Sequence, residues 1–107
     1  MSLQKTNPLK SKKYRGAAKN QSCIRCGNGA DRNIVALRHY NGIWQELFGK
    51  GYGCKCHDYA GADFCGECDA LFTEGGFYPG TKYERAAEFL KCCLLTVMRR
   101  ESQGVIG

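Results

Sequence analysis

The chain has 107 residues, enough for one domain, with eight cysteines, fourteen glycines and a formal net charge of +6 from sixteen Lys and Arg against ten Asp and Glu. No apolar run is long enough to span a membrane, and the first twenty residues lack the continuous apolar stretch of an export signal, so a cytoplasmic chain with no membrane partner is expected. In a reducing compartment paired cysteines read as metal ligands rather than a disulfide framework, and a basic chain is drawn to polyanions such as nucleic acid.

Residues 1–20 read as a basic, partly flexible arm, with Lys5, Lys10, Lys12, Lys13, Arg15 and Lys19 and no acidic residue. Lys12, Lys13, Arg15 and Lys19 are candidate phosphate contacts; a solvated, solubilising tail is the plainer reading. Residues 21–107 are expected to form a single zinc-binding domain, small enough that its core needs a metal staple.

Cys23-Ile-Arg-Cys26-Gly-Asn-Gly predicts a tight turn in which glycine allows positive φ and backbone N–H groups face the sulfurs. Ile34 to Tyr40 is rich in strand formers and predicts a short strand. Gly42 to Phe48 suits one or two helical turns with Trp44 and Phe48 on one side, and Gly49 to Gly61 is punctuated by glycine and reads as irregular. Cys65 to Phe72 reads as a helix that ends before Gly75-Gly76. The clearest helix is the last, where Thr81-Lys-Tyr-Glu84 forms a capping box. Behind it Tyr83, Ala86, Ala87, Leu90, Leu94, Val97 and Met98 recur at helical spacing and predict a core face, with Arg85, Glu88 and Lys91 turned to water. Arg99 and Arg100 near its end suit the negative pole of the helix dipole.

Zinc takes four soft or borderline ligands in a tetrahedron, and Cys-x-x-Cys on a turn presents two sulfurs to one ion. Cys23 and Cys26, then Cys65 and Cys68, are two such pairs about forty residues apart, the second opening a helix. This is the layout of a treble clef, and the expectation is one structural Zn²⁺ on all four. Cys54, Cys56 and His57 can replace one pair, or contribute to a second site with Asp58, Asp69 or His39, or be plain loop residues. Cys92 and Cys93 are adjacent on a helix, point about 100° apart and are expected to be core residues.

His39 closes the strand that follows the first pair. A neutral imidazole there can accept a proton from water as a general base, and a hard second metal such as Mg²⁺ or Mn²⁺ on oxygen ligands can stabilise phosphate charge. A lone histidine beside a strand is otherwise a structural residue.

Four stretches together resemble the YbcO-like prophage proteins, a small phage family regarded as nucleases of the HNH (ββα-metal) type. They are Arg15-Gly-Ala-Ala-Lys, Val35-Ala-Leu-Arg-His39, Gly51-Tyr-Gly-Cys-Lys55-Cys-His-Asp58, and Cys65-Gly-Glu-Cys68-Asp69-Ala-Leu-Phe. The similarity covers about residues 14 to 100. It implies a small α+β zinc domain with a treble-clef, HNH-like ββα-metal core and a C-terminal amphipathic helix. It also implies His39 as general base, Asp58 orienting it or contacting a metal, Lys55 near the scissile phosphate, and Asp69 where the family carries a histidine. A carboxylate at 69 suits Mg²⁺ or Mn²⁺ at least as well as imidazole. Arg38 stands where many HNH nucleases place an acidic metal ligand; it can clamp a phosphate but cannot bind a cation.

Two functions follow as expectations. One is a metal-dependent phage or prophage DNA endonuclease, with a homodimer favoured for cutting both strands. The other is a zinc-stapled DNA-binding or recombination accessory protein without chemistry. A third reading is a protein-interaction module with Trp44, Phe48, Phe77 and Tyr78 as an exposed patch.

Overall fold

A computed structural model describes residues 10–29, 34–50, 55–73, 76 and 78–106. Its elements in chain order are α1 (Lys12–Gly16), β1 (Ala36–His39), a 3₁₀ turn at Gln45–Phe48, another at Asp58–Ala60, β2 (Gly61–Phe64), α2 (Gly66–Phe72) and α3 (Lys82–Ser102). The class is α+β: one antiparallel two-stranded sheet with helices packed around it.

β1 pairs with β2 in the register Ala36 with Phe64, Leu37 with Asp63, Arg38 with Ala62 and His39 with Gly61. The expected strand at 34–40 is thus present, shortened to its middle four residues. β2 begins at Gly61, the last residue of the stretch read as irregular, and runs on through residues given no element. Its sequence, Gly-Ala-Asp-Phe, has one good strand former, and all four residues are buried. Tertiary packing makes this strand: α3 lies across it, and at Gly61 an added Cβ would come 2.8 Å from Leu37 Cγ and 3.1 Å from the Asp58 carbonyl. Only glycine allows the two segments to approach so closely.

The core is an aromatic cluster at the junction of β2, α2 and α3. Phe64, Phe72 and Phe89 lie with ring centroids 4.9–5.1 Å apart, and Tyr40 meets Phe89 edge-on at 5.2 Å. Each such pair adds about 0.5–1.5 kcal/mol beyond its buried area.

α3 begins at Thr81, whose hydroxyl accepts from the Glu84 amide while Glu84 returns a carboxylate oxygen to the Thr81 amide. The capping box is as expected. The buried face is not. Ala86, Phe89, Cys92, Cys93, Thr96 and Arg100 point inward, whereas Tyr83, Leu94 and Met98 are each more than half exposed. Of the apolar stripe only Ala86 is fully buried, and Leu90 packs in part. The polar residues win the inner face because β2 gives them partners. Thr96 Oγ1 accepts from the Asp63 amide and donates to the Cys92 carbonyl. Arg100, 0% exposed, holds Asp63 with two bonds of 2.7 and 2.6 Å. Arg99 reaches the same carboxylate and the Ser22 carbonyl. These two arginines therefore serve a buried ion pair, not a solvated helix end. Cys92 and Cys93 are core residues, as expected.

From Lys10 onward the basic segment is part of the domain. Ser11 caps α1 by accepting from the Tyr14 amide; Tyr14 and Ala18 are buried, and Arg100 donates from Nε to the Tyr14 carbonyl while its guanidinium lies over the Tyr14 ring. These two buried apolar side chains interrupt the charge run within the segment read as an arm. Residues 1–9, including Lys5, lie outside the described residues.

Trp44 takes a left-handed backbone (φ 71°) and stays exposed near Tyr83, whereas Phe48 packs edge-on against Tyr40. They do not share one side. Tyr78 also packs against the core, so Trp44, Phe48 and Tyr78 form no common exposed patch; Phe77 lies outside the described residues. Among the described residues no helix is long and apolar enough to cross a membrane.

Candidate functional site

Cys23 and Cys26 sit on a turn closed by the Gly27 amide donating to the Cys23 carbonyl, with Gly27 at φ 80°. The turn is pinned to the sheet where the Ile24 amide donates to the Asp63 carbonyl at 2.8 Å. Cys65 is the N-cap of α2 and Cys68 lies one turn inside it. Together these elements bring the four Sγ atoms within 4.8 Å of one another.

Zn–S bonds of about 2.3 Å in a tetrahedron space the sulfurs about 3.8 Å apart. The Cys26 and Cys65 sulfurs lie 3.7 Å apart, so the cluster fits one Zn²⁺. The surroundings favour thiolate at Cys23, whereas burial raises the Cys26 and Cys68 thiols. Burial raises the Cys23 thiol, but backbone amides of Cys26, Cys65 and Arg25 outweigh it and bring it down to about 7. Arg25 Nη1 lies 3.8 Å from Cys68 Sγ and its Nε is bonded to Glu88 of α3. Sequence reasoning missed Arg25, although its place between two ligands marks it as a neighbour of negative sulfur.

Cys56 belongs to neither pair. Fully buried, it donates from Sγ to the Tyr40 carbonyl at 3.0 Å. His57 Nδ1 accepts from the Tyr59 amide and caps the 3₁₀ turn that starts at Asp58. Cys54 lies outside the described residues. Among those described, the four paired cysteines are the group of side chains placed to hold a metal.

A second centre lies at the end of β1. His39 Nε2 is 2.7 Å from Asp58 Oδ1. Asp58 is completely buried, and its other oxygen accepts from the Ser11 amide and from Arg15 Nη1 at 2.9 Å. Burial raises the Asp58 carboxyl, but His39, the Ser11 amide and Arg15 outweigh it, so Asp58 stays ionised. With Nε2–H donated to that carboxylate, Nδ1 carries the ring's lone pair. Burial lowers the His39 pKa, and nearby Lys55 and Lys10 lower it further, against Asp58, so the ring is neutral at pH 7.

His39 helps to line a cavity of about 240 Å³, together with Arg38, Lys50, Lys55, Asn41 and Asp69. Arg38 Nε stands 3.7 Å from Asp69 Oδ2 and has no hydrogen-bond partner although buried. The expected residues 38, 39, 55 and 69 thus meet at one cavity, with Asp58 behind His39. Lys50 was missed; it follows the 3₁₀ turn at Gln45–Phe48 and lines the same cavity as His39. Lys12, Lys13 and Lys19 are exposed on and after α1, while Arg15 is engaged with Asp58.

The cavity does not fit the expected Mg²⁺ or Mn²⁺. Such ions need several oxygen ligands. Among the described residues Asp69 is the one carboxylate lining it, already beside Arg38, and Lys50 and Lys55 add two further positive charges.

No protein-family model, no curated protein and no solved structure matches this chain.

Proposed function

We propose that the chain is an endonuclease that hydrolyses phosphodiester bonds of DNA, with His39 as general base on a scaffold stapled by Zn²⁺. The single observation that carries this reading is the His39–Asp58 pair opening on a cavity lined by Arg38, Lys50 and Lys55. A buried carboxylate behind a neutral imidazole is an arrangement for taking a proton, and side-chain cations are suited to a phosphate diester. The order β1, β2, α2, with His39 ending β1 and Asp69 on α2, supports an HNH-like ββα core. The Cys23–Cys26 turn, the hairpin and the helix opened by Cys65 support a treble clef. Both agree with the resemblance to the YbcO-like prophage nucleases, which implies a phage protein working in the bacterial cytoplasm.

In this reading His39 Nδ1 removes a proton from water as its oxygen attacks phosphorus. The opposite P–O bond breaks, and the departing alkoxide keeps the electron pair and takes a proton from solvent. Arg38 and Lys55 hold the non-bridging oxygens as negative charge grows. No step is routed through a second metal. The experiment is cleavage of supercoiled plasmid by zinc-loaded protein, with and without added Mg²⁺ or Mn²⁺, beside His39→Ala. Nicking by the parent that falls about 10²–10⁴-fold in the variant supports the assignment, and equal activity ends it.

A second reading, a zinc-stapled DNA-binding module without chemistry, is favoured by the Arg38–Asp69 pair, which fills the place where a nuclease of this type would hold its ion. DNA retarded in a gel but never cut, under every ion condition, selects it.

A further inference from the structure

We infer that Arg38 takes the position beside Asp69 that a divalent cation would take, so that the cavity grips a DNA phosphate with side-chain cations alone. The inference deepens the proposed function and rests on its assignment of this cavity to phosphate.

Three observations carry it. First, the charges are set for an anion: among the described residues Arg38, Lys50 and Lys55 line the cavity against the single carboxylate of Asp69. A hydrated Mg²⁺ entering there meets three like charges and one shared ligand, the reverse of what its coordination needs. Second, Arg38 is held at its backbone, and its Nε lacks a hydrogen-bond partner among the described residues. Its residue pairs with the buried Ala62 of β2, which fixes the strand. Its Nε lies 3.7 Å from Asp69 Oδ2, beyond hydrogen-bonding range, and donates to nothing. A guanidinium whose fork is unspent can turn its donors in parallel onto two phosphate oxygens. Third, the neighbouring carboxylate is spent otherwise. Asp58 is closed off by Ser11, Arg15 and His39, so it offers no oxygen to an ion in the cavity. Asp69 is left as a positioning residue that keeps Arg38 near the cavity when phosphate is absent.

The test is a Mn²⁺ titration followed by electron paramagnetic resonance, on zinc-loaded protein in buffer freed of other divalent ions. Mn²⁺ prefers oxygen and does not displace zinc from thiolates. The parent is expected to leave Mn²⁺ free. Arg38→Glu, which places two carboxylates together, is expected to bind one Mn²⁺ at least about tenfold more tightly than the parent. In the same divalent-free buffer the parent is expected to bind a short thymidine oligonucleotide, with Arg38→Glu weaker by about 10- to 100-fold. Mn²⁺ binding by the parent that Asp69→Asn abolishes overturns the inference. So does oligonucleotide binding by the parent that requires Mn²⁺, or failure of a folded Arg38→Glu to gain an ion. The two parent titrations need no variant and decide the matter even if Arg38→Glu does not fold. Cleavage is not part of the readout. A protein that rejects Mn²⁺ and binds the oligonucleotide yet never cuts keeps this inference and loses the nuclease, whereas Mn²⁺ binding at Asp69 loses the inference and keeps the nuclease.

Discussion

His39 Nε2 and Asp58 Oδ1 stand 2.7 Å apart, at the junction of β1 with the 3₁₀ turn that leads into β2. The pair joins a largely buried ring, 12% exposed, to a fully buried carboxylate. The His39 pKa is lowered from 6.5, so it binds a proton only below that value, and a rate that needs the neutral ring is flat at pH 7–8 and falls on the acid side. Asp58→Asn removes the partner that raises His39. The acid limb then moves to lower pH while the plateau rate drops by about 10²-fold or more, as the tautomer is no longer fixed. A pH–rate profile of plasmid nicking by parent and variant reads both effects; an unmoved limb separates Asp58 from His39 function.

The four-cysteine site is expected to hold one Zn²⁺ per chain. Cys65→Ser and Cys23→Ser should lose the ion and the fold together, since structural zinc contributes about 10–16 kcal/mol in small domains. Cys56→Ser and Cys93→Ser should retain full zinc. Metal analysis, with Co²⁺ as a thiolate-sensitive optical probe, checks this. Loss of metal in Cys56→Ser would place that thiol in the site.

The two sides of α3 should respond differently to substitution. Phe89→Ala opens the aromatic cluster and should cost about 3–5 kcal/mol, whereas Leu94→Ser on the exposed side should stay within about 0.5 kcal/mol. Denaturant unfolding of the two variants distinguishes the observed face from the apolar stripe.

That helix shows how far residues alone can be read. Its cap was legible, because Thr81 and Glu84 satisfy each other three residues apart. Its rotation was not, because Thr96 and Arg100 count as polar until Asp63, more than thirty residues earlier, supplies their partner. The cysteine pairs were legible for the opposite reason, since each is a local Cys-x-x-Cys and only the meeting of the two pairs is long-range. β2 was hidden because Gly61 and Asp63 are poor strand formers, held there by packing and by Arg100. At the cavity, His39 was legible from its place at the end of a predicted strand, and the roles of Lys55 and Asp58 came through the family resemblance. Arg15, a candidate phosphate contact, holds Asp58 across 43 residues, a partner that no local pattern marks.

The ion pair of Asp63 and Arg100 is completely buried. Arg100→Met leaves Asp63 with Arg99 alone and should cost about 3–5 kcal/mol, lowering Tm by at least about 10 °C. Thermal unfolding at fixed zinc loading measures it. An unchanged Tm would mean that Arg99 alone satisfies the carboxylate.

Because Tyr14 and Ala18 are buried, removing residues 1–20 tests folding rather than DNA contact. The informative change is Lys12→Ala with Lys13→Ala and Lys19→Ala, all exposed. If these lysines touch phosphates, the slope of log affinity against log salt should fall by about 0.9 for every phosphate they neutralise. An unchanged slope in gel retardation assigns them to solubility.

The bond from Arg100 Nε to the Tyr14 carbonyl spans 86 residues. During synthesis, at about 5–20 residues per second, α1 therefore waits between about 4 and 17 s before its anchor is made. For that interval Tyr14 has no Arg100 to cover its ring and Asp63 has neither arginine. A nascent chain halted before residue 99 would present an incomplete core to proteases and chaperones, with zinc as its main restraint.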